Sequence, residues 1–137
     1  MLFGIAADMP SAKAGPRRIT VEQLHVELKA QGVSAREHCA FRCVMCGTVQ
    51  SGASLIRAGV GASFDEIEKY VGFSCVGRFT NAGSHKKNTP PGRGCDWTLG
   101  GLFAIHKLEV LTPDGKAHAL FEVATPEEAQ ALEATAK

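Results

Sequence analysis

The sequence lacks a long hydrophobic run and carries almost no net charge. No stretch approaches the ~18 consecutive apolar residues that a membrane-spanning helix requires, so we expect no transmembrane segment. The apolar start, residues 1–7, is short and follows no basic residues, and we do not expect it to be a signal peptide. An isoelectric point near 7.7 is below the range of dedicated nucleic-acid-binding domains, and the formal net charge of +1 indicates no particular partner.

The sequence also lacks the even number of cysteines that a fully paired disulfide framework needs, because it has five. Without an export signal these cysteines are expected in a reducing cytosol, where bound metal or free thiols are favoured over disulfides. The chain has 137 residues, of which 45% are hydrophobic and 21% charged, and this suits one globular domain with a modest core.

Four of the cysteines have the spacing of a metal site. Cys43 and Cys46 form a C-x-x-C pair followed directly by Gly47, and a tight turn of this kind directs two thiolates at one point. Cys75 and Cys95 would complete a four-thiolate shell, which suits zinc and leaves no coordination position for a substrate. The sequence therefore predicts a structural zinc site at Cys43, Cys46, Cys75 and Cys95.

Other roles for these thiols stay open. The four cysteines could be free, buried thiols, since cysteine often packs as a small hydrophobic residue. The C-x-x-C pair could be a thioredoxin-like redox motif, although Gly47 and Thr48 disfavour the helix that such a motif opens. Cys39 could replace one of the four ligands, and His106 could replace Cys75 or Cys95. Otherwise Cys39 is a core or spare thiol and His106 a core histidine.

The hydrophobic pattern predicts an α+β fold, with two or three helices packed on a small antiparallel sheet. The clearest element is a hairpin over 103–123, whose strands, 103–111 and 116–123, flank the turn sequence Thr112-Pro113-Asp114-Gly115. The other predicted elements are a strand over 38–42 and helices over 21–31 (capped by Thr20), 54–58, 63–71 (with a capping box of Ser63 and Glu66) and after Thr125.

The ends of the chain and its long loop complete the predicted organisation. Residues 1–18 contain Pro10, Gly15 and Pro16 and are predicted to be a flexible segment before a single zinc-stabilised domain over 19–137. Residues 74–97 are predicted to be a long loop, which Cys75 and Cys95 would fasten to one metal ion at both ends.

This long loop is basic. From Lys69 to Cys95 the sequence has no acidic residue. A basic loop held at both ends suits a phosphate group or an acidic protein surface, although an ordinary solvated loop could have the same composition. The candidate partner- or nucleic-acid-binding residues are Arg78, Lys86, Lys87 and Arg93.

Five blocks of the sequence resemble a family of small, uncharacterised phage and prophage proteins. The blocks are FRCVMCGTVQ (41–50), GFSCVGR (72–78), CDWTLGG (95–101), KLEV (107–110) and TPEEA (125–129). The resemblance covers roughly residues 19–130 and includes all four candidate ligands. It implies a phage origin and the cytosol of a bacterial host, and it implies no catalytic activity.

Three functions remain compatible with the sequence. The first is a non-enzymatic, zinc-stabilised binding protein that engages a host or phage macromolecule, in the first place a protein; an inhibitor of a bacterial defence system, such as an anti-CRISPR protein, would be one example. The second is a nucleic-acid-binding accessory protein that uses the basic loop over 76–95. The third is an enzyme with a thiol or metal centre, but the sequence shows no nucleophile–base or paired-carboxylate arrangement.

Overall fold

The computed structural model describes residues 16–86, 92–99 and 105–135. Strands and helices are mixed along these residues, and the predicted α+β class is confirmed. The strands are β1 (Arg17–Thr20), β2 (Ala40–Arg42), β3 (Val49–Ser51), β4 (Leu108–Leu111), β5 (Ala117–Leu120) and β6 (Glu122–Val123). The α-helices are α1 (Val21–Lys29), α2 (Gly52–Arg57), α3 (Phe64–Val71) and α4 (Pro126–Thr135), and single-turn 3-10 helices span Arg36–His38 and Val76–Arg78.

Two three-stranded sheets stand where the sequence predicted one small antiparallel sheet. The first has the order β1-β4-β5: β1 runs parallel to β4, and β4 and β5 form the predicted hairpin. Its turn is closed by the Gly115 N–H, which donates to the Thr112 carbonyl at 2.9 Å. The second sheet has the order β3-β2-β6 and is antiparallel.

The hairpin is shorter than the predicted range 103–123. β4 begins only at Leu108, and residues 103 and 104 lie outside the described residues. β5 ends at Leu120 because the next backbone N–H, that of Phe121, donates to the Gly72 carbonyl at 2.7 Å. The chain then forms β6, which pairs with β2. The predicted second strand is therefore divided between the two sheets and connects them.

β1 begins inside the segment that the sequence predicted to be flexible. Residues 1–15 lie outside the described residues, but Arg17 and Arg18 belong to β1 and pair with β4. Arg17 also forms ion pairs with Glu27 at 2.7 Å and Glu122 at 2.8 Å, which tie β1 to α1 and to β6. Strand pairing and these ion pairs hold Arg17 and Arg18 against the rest of the described fold.

α1 and α4 begin where their caps predicted. Thr20 and Gln23 form a reciprocal capping box at the start of α1, with donor–acceptor distances of 3.1 and 2.8 Å. At the start of α4 the Thr125 hydroxyl accepts from the Glu128 N–H at 3.1 Å. Local sequence therefore defines both helix starts.

The other predicted boundaries shift by a few residues. α3 follows Ser63 as expected, but the Ser63 side chain makes no capping hydrogen bond, and Glu66 instead accepts from the Ala62 N–H at 3.0 Å. α1 ends at Lys29, two residues early, because Gln31 turns into the interior. The start of the strand predicted over 38–42 moves to 40, and α2 begins at 52 instead of 54.

The main core contains both bulky apolar residues and cysteines. Phe121, Leu55 and Ile67 are fully buried at its centre, and the four candidate ligands belong to the same cluster. A smaller cluster of Ile19, Leu108 and Val110 packs against α1. Within the described residues, none of the helices combines the length and the hydrophobicity that crossing a membrane would require.

Candidate metal centre

The first half of the site is the turn between β2 and β3. The Cys43 N–H donates to the Thr48 carbonyl at 2.9 Å, and the Gly47 N–H donates to the Cys43 carbonyl at 3.0 Å. Gly47 has a φ of +77°, which glycine adopts without the steric cost of a side chain. The turn is thereby closed tightly enough to bring the two cysteines of the C-x-x-C motif to one side.

The second half comes from the two ends of the long loop. Cys75 follows α3, and its N–H donates to the Trp97 carbonyl at 2.9 Å. Ser74 and Thr98 form an isolated β-bridge beside this hydrogen bond. The paired backbone segments place Cys95 next to Cys75, whose sulfur accepts from the Cys95 N–H at 3.2 Å.

The four sulfur atoms converge on one point. All lie within 4.8 Å of one another, and all four residues are buried. The Sγ atoms of Cys43 and Cys95 are 3.8 Å apart, and so are those of Cys46 and Cys75. A tetrahedron with zinc–sulfur bonds of about 2.3 Å has edges of about 3.8 Å, whereas a disulfide bond measures about 2.05 Å. The sulfurs are thus spaced for a shared ion and not for disulfides.

The two loop ends can approach so closely because both carry glycine. A Cβ atom added to Gly77 would lie 2.4 Å from the Cys95 nitrogen and 2.6 Å from the Gly94 carbonyl carbon. One added to Gly94, whose φ is +88°, would lie 2.6 Å from the Gly77 nitrogen. Any side chain at Gly77 would therefore force the backbone at Cys95 away from the site.

Thr48 links the two halves. Its Oγ1 accepts from the N–H groups of Gly92 at 2.9 Å and Gly94 at 3.1 Å, and it lies 3.1 Å from Cys46 Sγ. The Cys46 thiol donates to the same oxygen. A single hydroxyl therefore joins the β2–β3 turn to the end of the long loop.

Gln50 holds the backbone on both sides of Cys75 in place. This residue is fully buried on β3, and its Nε2 donates to the carbonyls of Val71 at 2.9 Å and Ser74 at 2.8 Å. Its Oε1 accepts from the Val76 N–H at 2.6 Å. The amide therefore satisfies three backbone groups around Cys75 that no regular secondary structure pairs.

Crowding and burial raise the pKa of two of the thiols, those of Cys75 and Cys95. The neighbouring Cys43 thiol and burial raise the pKa of Cys75 well above its usual range. Burial, together with the nearby Cys75 and Cys46, raises the pKa of Cys95 to about 12. Four thiolates this close repel one another, so a bound cation is the natural source of compensating charge, and a metal ion deprotonates the thiols that coordinate it.

The two alternative ligands lie elsewhere. The group of residues placed to hold an ion contains neither Cys39 nor His106. The His106 Nε2 is 2.7 Å from a carboxylate oxygen of Glu109, and the half-buried Cys39 has its sulfur 4.0 Å from the Leu28 carbonyl. Burial raises the pKa of the Cys39 thiol.

The three basic candidates within the described residues, Arg78, Lys86 and Arg93, are exposed. Arg78 donates to the backbone carbonyl of Asp96 at 3.0 Å, which fastens it across the loop. Lys86 and Arg93 are exposed, and Lys87 lies outside the described residues.

Sequence reasoning did not find Thr48, Gln50, Gly77 or Gly94. The glycines carried a local signal, because each lies two residues after or one residue before a candidate ligand. Thr48 and Gln50 are ordinary polar residues in the sequence, and only the tertiary structure shows that they are buried.

Comparison with known proteins gives a family and nothing more specific. A family model described as VVA0879-like matches residues 20–124. No curated protein and no solved structure matches the chain. The matched range contains all four clustered cysteines and both halves of the site.

Proposed function

The chain belongs to the VVA0879-like family, and on that premise we propose that it is a small, phage-type, non-enzymatic binding protein. In this proposal a structural zinc ion stabilises the protein, which engages a host or phage macromolecule in the bacterial cytosol. An inhibitor of a bacterial defence system, comparable to an anti-CRISPR protein, would be one form of this function. The phage origin rests on the sequence blocks described above.

The observation that carries the zinc assignment is the convergence of four buried sulfurs within 4.8 Å. Tetrahedral four-thiolate sites hold zinc or iron, and the general order of divalent-metal affinity places zinc above iron(II). Cys43, Cys46, Cys75 and Cys95 would be the ligands. The ion would cross-link the β2–β3 turn to both ends of the long loop.

The same geometry supports a structural role. Four protein ligands complete a tetrahedral shell, so no coordination position remains for a substrate or an activated water. The burial of all four cysteines also separates the ion from solvent. A protein with such a closed metal site would act through its surface, by binding a partner.

Affinity capture tests the binding function. Zinc-loaded chain would be immobilised and exposed to lysate of the bacterial host, and the retained macromolecules identified by mass spectrometry. We expect one macromolecule to be retained in near-stoichiometric amount by wild type and by Cys39→Ser. It should be lost with Cys75→Ser, which lacks one of the four clustered thiols. Enrichment no greater than on an unrelated bait of similar charge would contradict the proposal.

A nucleic-acid-binding function is the second candidate. It is supported by the exposed Lys86 and Arg93, which form no ion pair with a carboxylate among the described residues, on a loop that the cysteines hold at both ends. If this function holds, changing Lys86, Lys87 and Arg93 together to alanine should weaken DNA or RNA binding. The slope of log affinity against log salt concentration should fall by about one unit for each lost phosphate contact. Lys116→Ala, in the hairpin turn, is the matched control. Binding that is absent at low salt would exclude this candidate.

A further inference from the structure

A cleft separate from the cysteine cluster lies between α1, α3 and β5. Its volume is about 750 Å³, within the range of about 300–1,000 Å³ that is typical of small-molecule sites. None of the four clustered cysteines lines it. The zinc proposal does not account for this space.

The floor and walls of the cleft are apolar. Phe41 and Val71 are buried beneath it, and Leu24, Leu28 and Leu120 line it while half-buried. α1 has no fully buried residue, and its Leu24 and Leu28 side chains face the cleft. A ligand that filled the cleft would bury the exposed part of these side chains, at a gain of about 25 cal/mol per Å².

The rim of the cleft is predominantly basic. His25, Arg36, Lys69 and His118 lie around it, with Glu68 as the single acidic residue among those that line it. Arg36 pairs with the exposed Asp65 at 3.3 Å, and its guanidinium lies 4.7 Å from the centre of the Phe64 ring.

Lys69 is the cation at this rim that is free to meet a ligand. Its Nζ lies 5.1 Å from the centre of the Tyr70 ring, and it forms no ion pair with a carboxylate in the described part of the chain. A positive charge held at the edge of an apolar cleft favours an anionic group attached to an apolar body.

We propose that this cleft binds an elongated apolar molecule with one anionic head group, of the class of alkyl carboxylates. The alkyl chain would lie on Leu24, Leu28 and Leu120, and the head group would lie at Lys69. This activity goes beyond the proposed macromolecule binding, and it does not depend on zinc as a ligand-binding ion.

Three probes of equal chain length test the proposal: decanoate, decanol and decylammonium. Each would be titrated below its micelle concentration into the full zinc-loaded chain, with backbone NMR shifts as the readout. We expect saturable decanoate binding with shifts confined to the residues that line the cleft. Decanoate should bind about fivefold more tightly than decanol, as expected for one solvent-exposed ion pair, and decylammonium more weakly than both.

Two variants separate the head-group contact from the cleft. Lys69→Gln should reduce decanoate affinity to that of decanol and leave decanol affinity unchanged, whereas Lys107→Gln, away from the cleft, should change neither. Ala117→Trp should block all three probes, with Ala117→Ser as its control.

Three results from the wild-type protein alone would overturn the proposal. They are decanoate binding that does not saturate, shifts spread over the whole surface, and equal affinity for decanoate and decylammonium. Concentration-dependent dimerisation that decanoate does not reverse would show instead that a second copy of the chain occupies the cleft.

Discussion

At the scale of single residues, the cysteine cluster depends on Gly77, where no side chain fits. In Gly77→Ala the new Cβ would meet the Cys95 nitrogen at 2.4 Å and the Gly94 carbon at 2.6 Å. Both are backbone atoms, so relief requires Cys95 to move. We expect a loss of about 2–3 kcal/mol in the free energy of unfolding, typical of overpacking, and weaker zinc binding in competition with a chelator.

Gly83→Ala is the matched control for this change. Gly83 lies in the same loop with a φ of +79°, and an added Cβ there meets no atom within 4 Å. This substitution should cost about 1 kcal/mol through backbone strain and leave zinc affinity unchanged. Equal effects of the two variants on zinc affinity would contradict the role assigned to Gly77.

At the scale of elements, two buried glutamines join segments that are distant in sequence. Gln50 connects β3 to the chain on both sides of Cys75, as described above. Gln31 is its counterpart after α1: its Nε2 donates to the carbonyls of Ala40 at 2.9 Å and Ala124 at 3.0 Å, and its Oε1 accepts from the Ala40 N–H at 2.9 Å.

Replacing Gln50 by leucine should leave three backbone groups unpaired. Replacing Gln31 should leave two, because the Ala40 carbonyl also accepts from the Ala124 N–H at 3.1 Å. Each variant is therefore expected to lose about 2–4 kcal/mol of unfolding free energy in chemical denaturation. Only Gln50→Leu should also weaken zinc binding, because only Gln50 contacts the backbone around Cys75. A Gln31→Leu variant that lowers zinc affinity as much as Gln50→Leu would show that the effect is general destabilisation.

The long loop should be the first element to loosen when the metal is removed. Within its described part, the Ala82 N–H donates to the Gly77 carbonyl and the Asp96 N–H to the Gly83 carbonyl, both at 3.0 Å. After chelator treatment these amides should exchange with deuterium sooner than the Ala129 amide of α4, which is not attached to the site. Unchanged exchange at Ala82 and Asp96 would contradict the anchoring of the loop by the cysteines.

At the scale of the whole molecule, local signals in the sequence predicted more than long-range ones. The caps at Thr20 and Thr125 and the hairpin turn were found because their hydrogen bonds join near neighbours. The division of the second hairpin strand was missed, since its alternating pattern continues through Phe121 while the backbone there pairs with Gly72, far away in sequence. The pairing of β1 with β4 was missed for the same reason.

In the candidate site, too, the local signals were found and the long-range contacts were missed. The C-x-x-C spacing is local, and the two remaining cysteines follow from the chemistry of a four-ligand shell. Thr48 and Gln50 could not be predicted as site residues, because the sequence alone does not show whether a threonine or glutamine side chain is buried. Their roles exist only once the loop ends and the β2–β3 turn have come together.

The most direct test of the account is the zinc content of the native protein, measured by elemental mass spectrometry together with its thermal unfolding. Wild type and Cys39→Ser should each carry one zinc ion per chain. Cys46→Ser should lose the ion and unfold at a much lower temperature, since structural zinc contributes on the order of 10 kcal/mol to small metal-stabilised folds. A metal-free wild type whose stability does not change on zinc addition, or a Cys46→Ser variant indistinguishable from Cys39→Ser, would contradict the account.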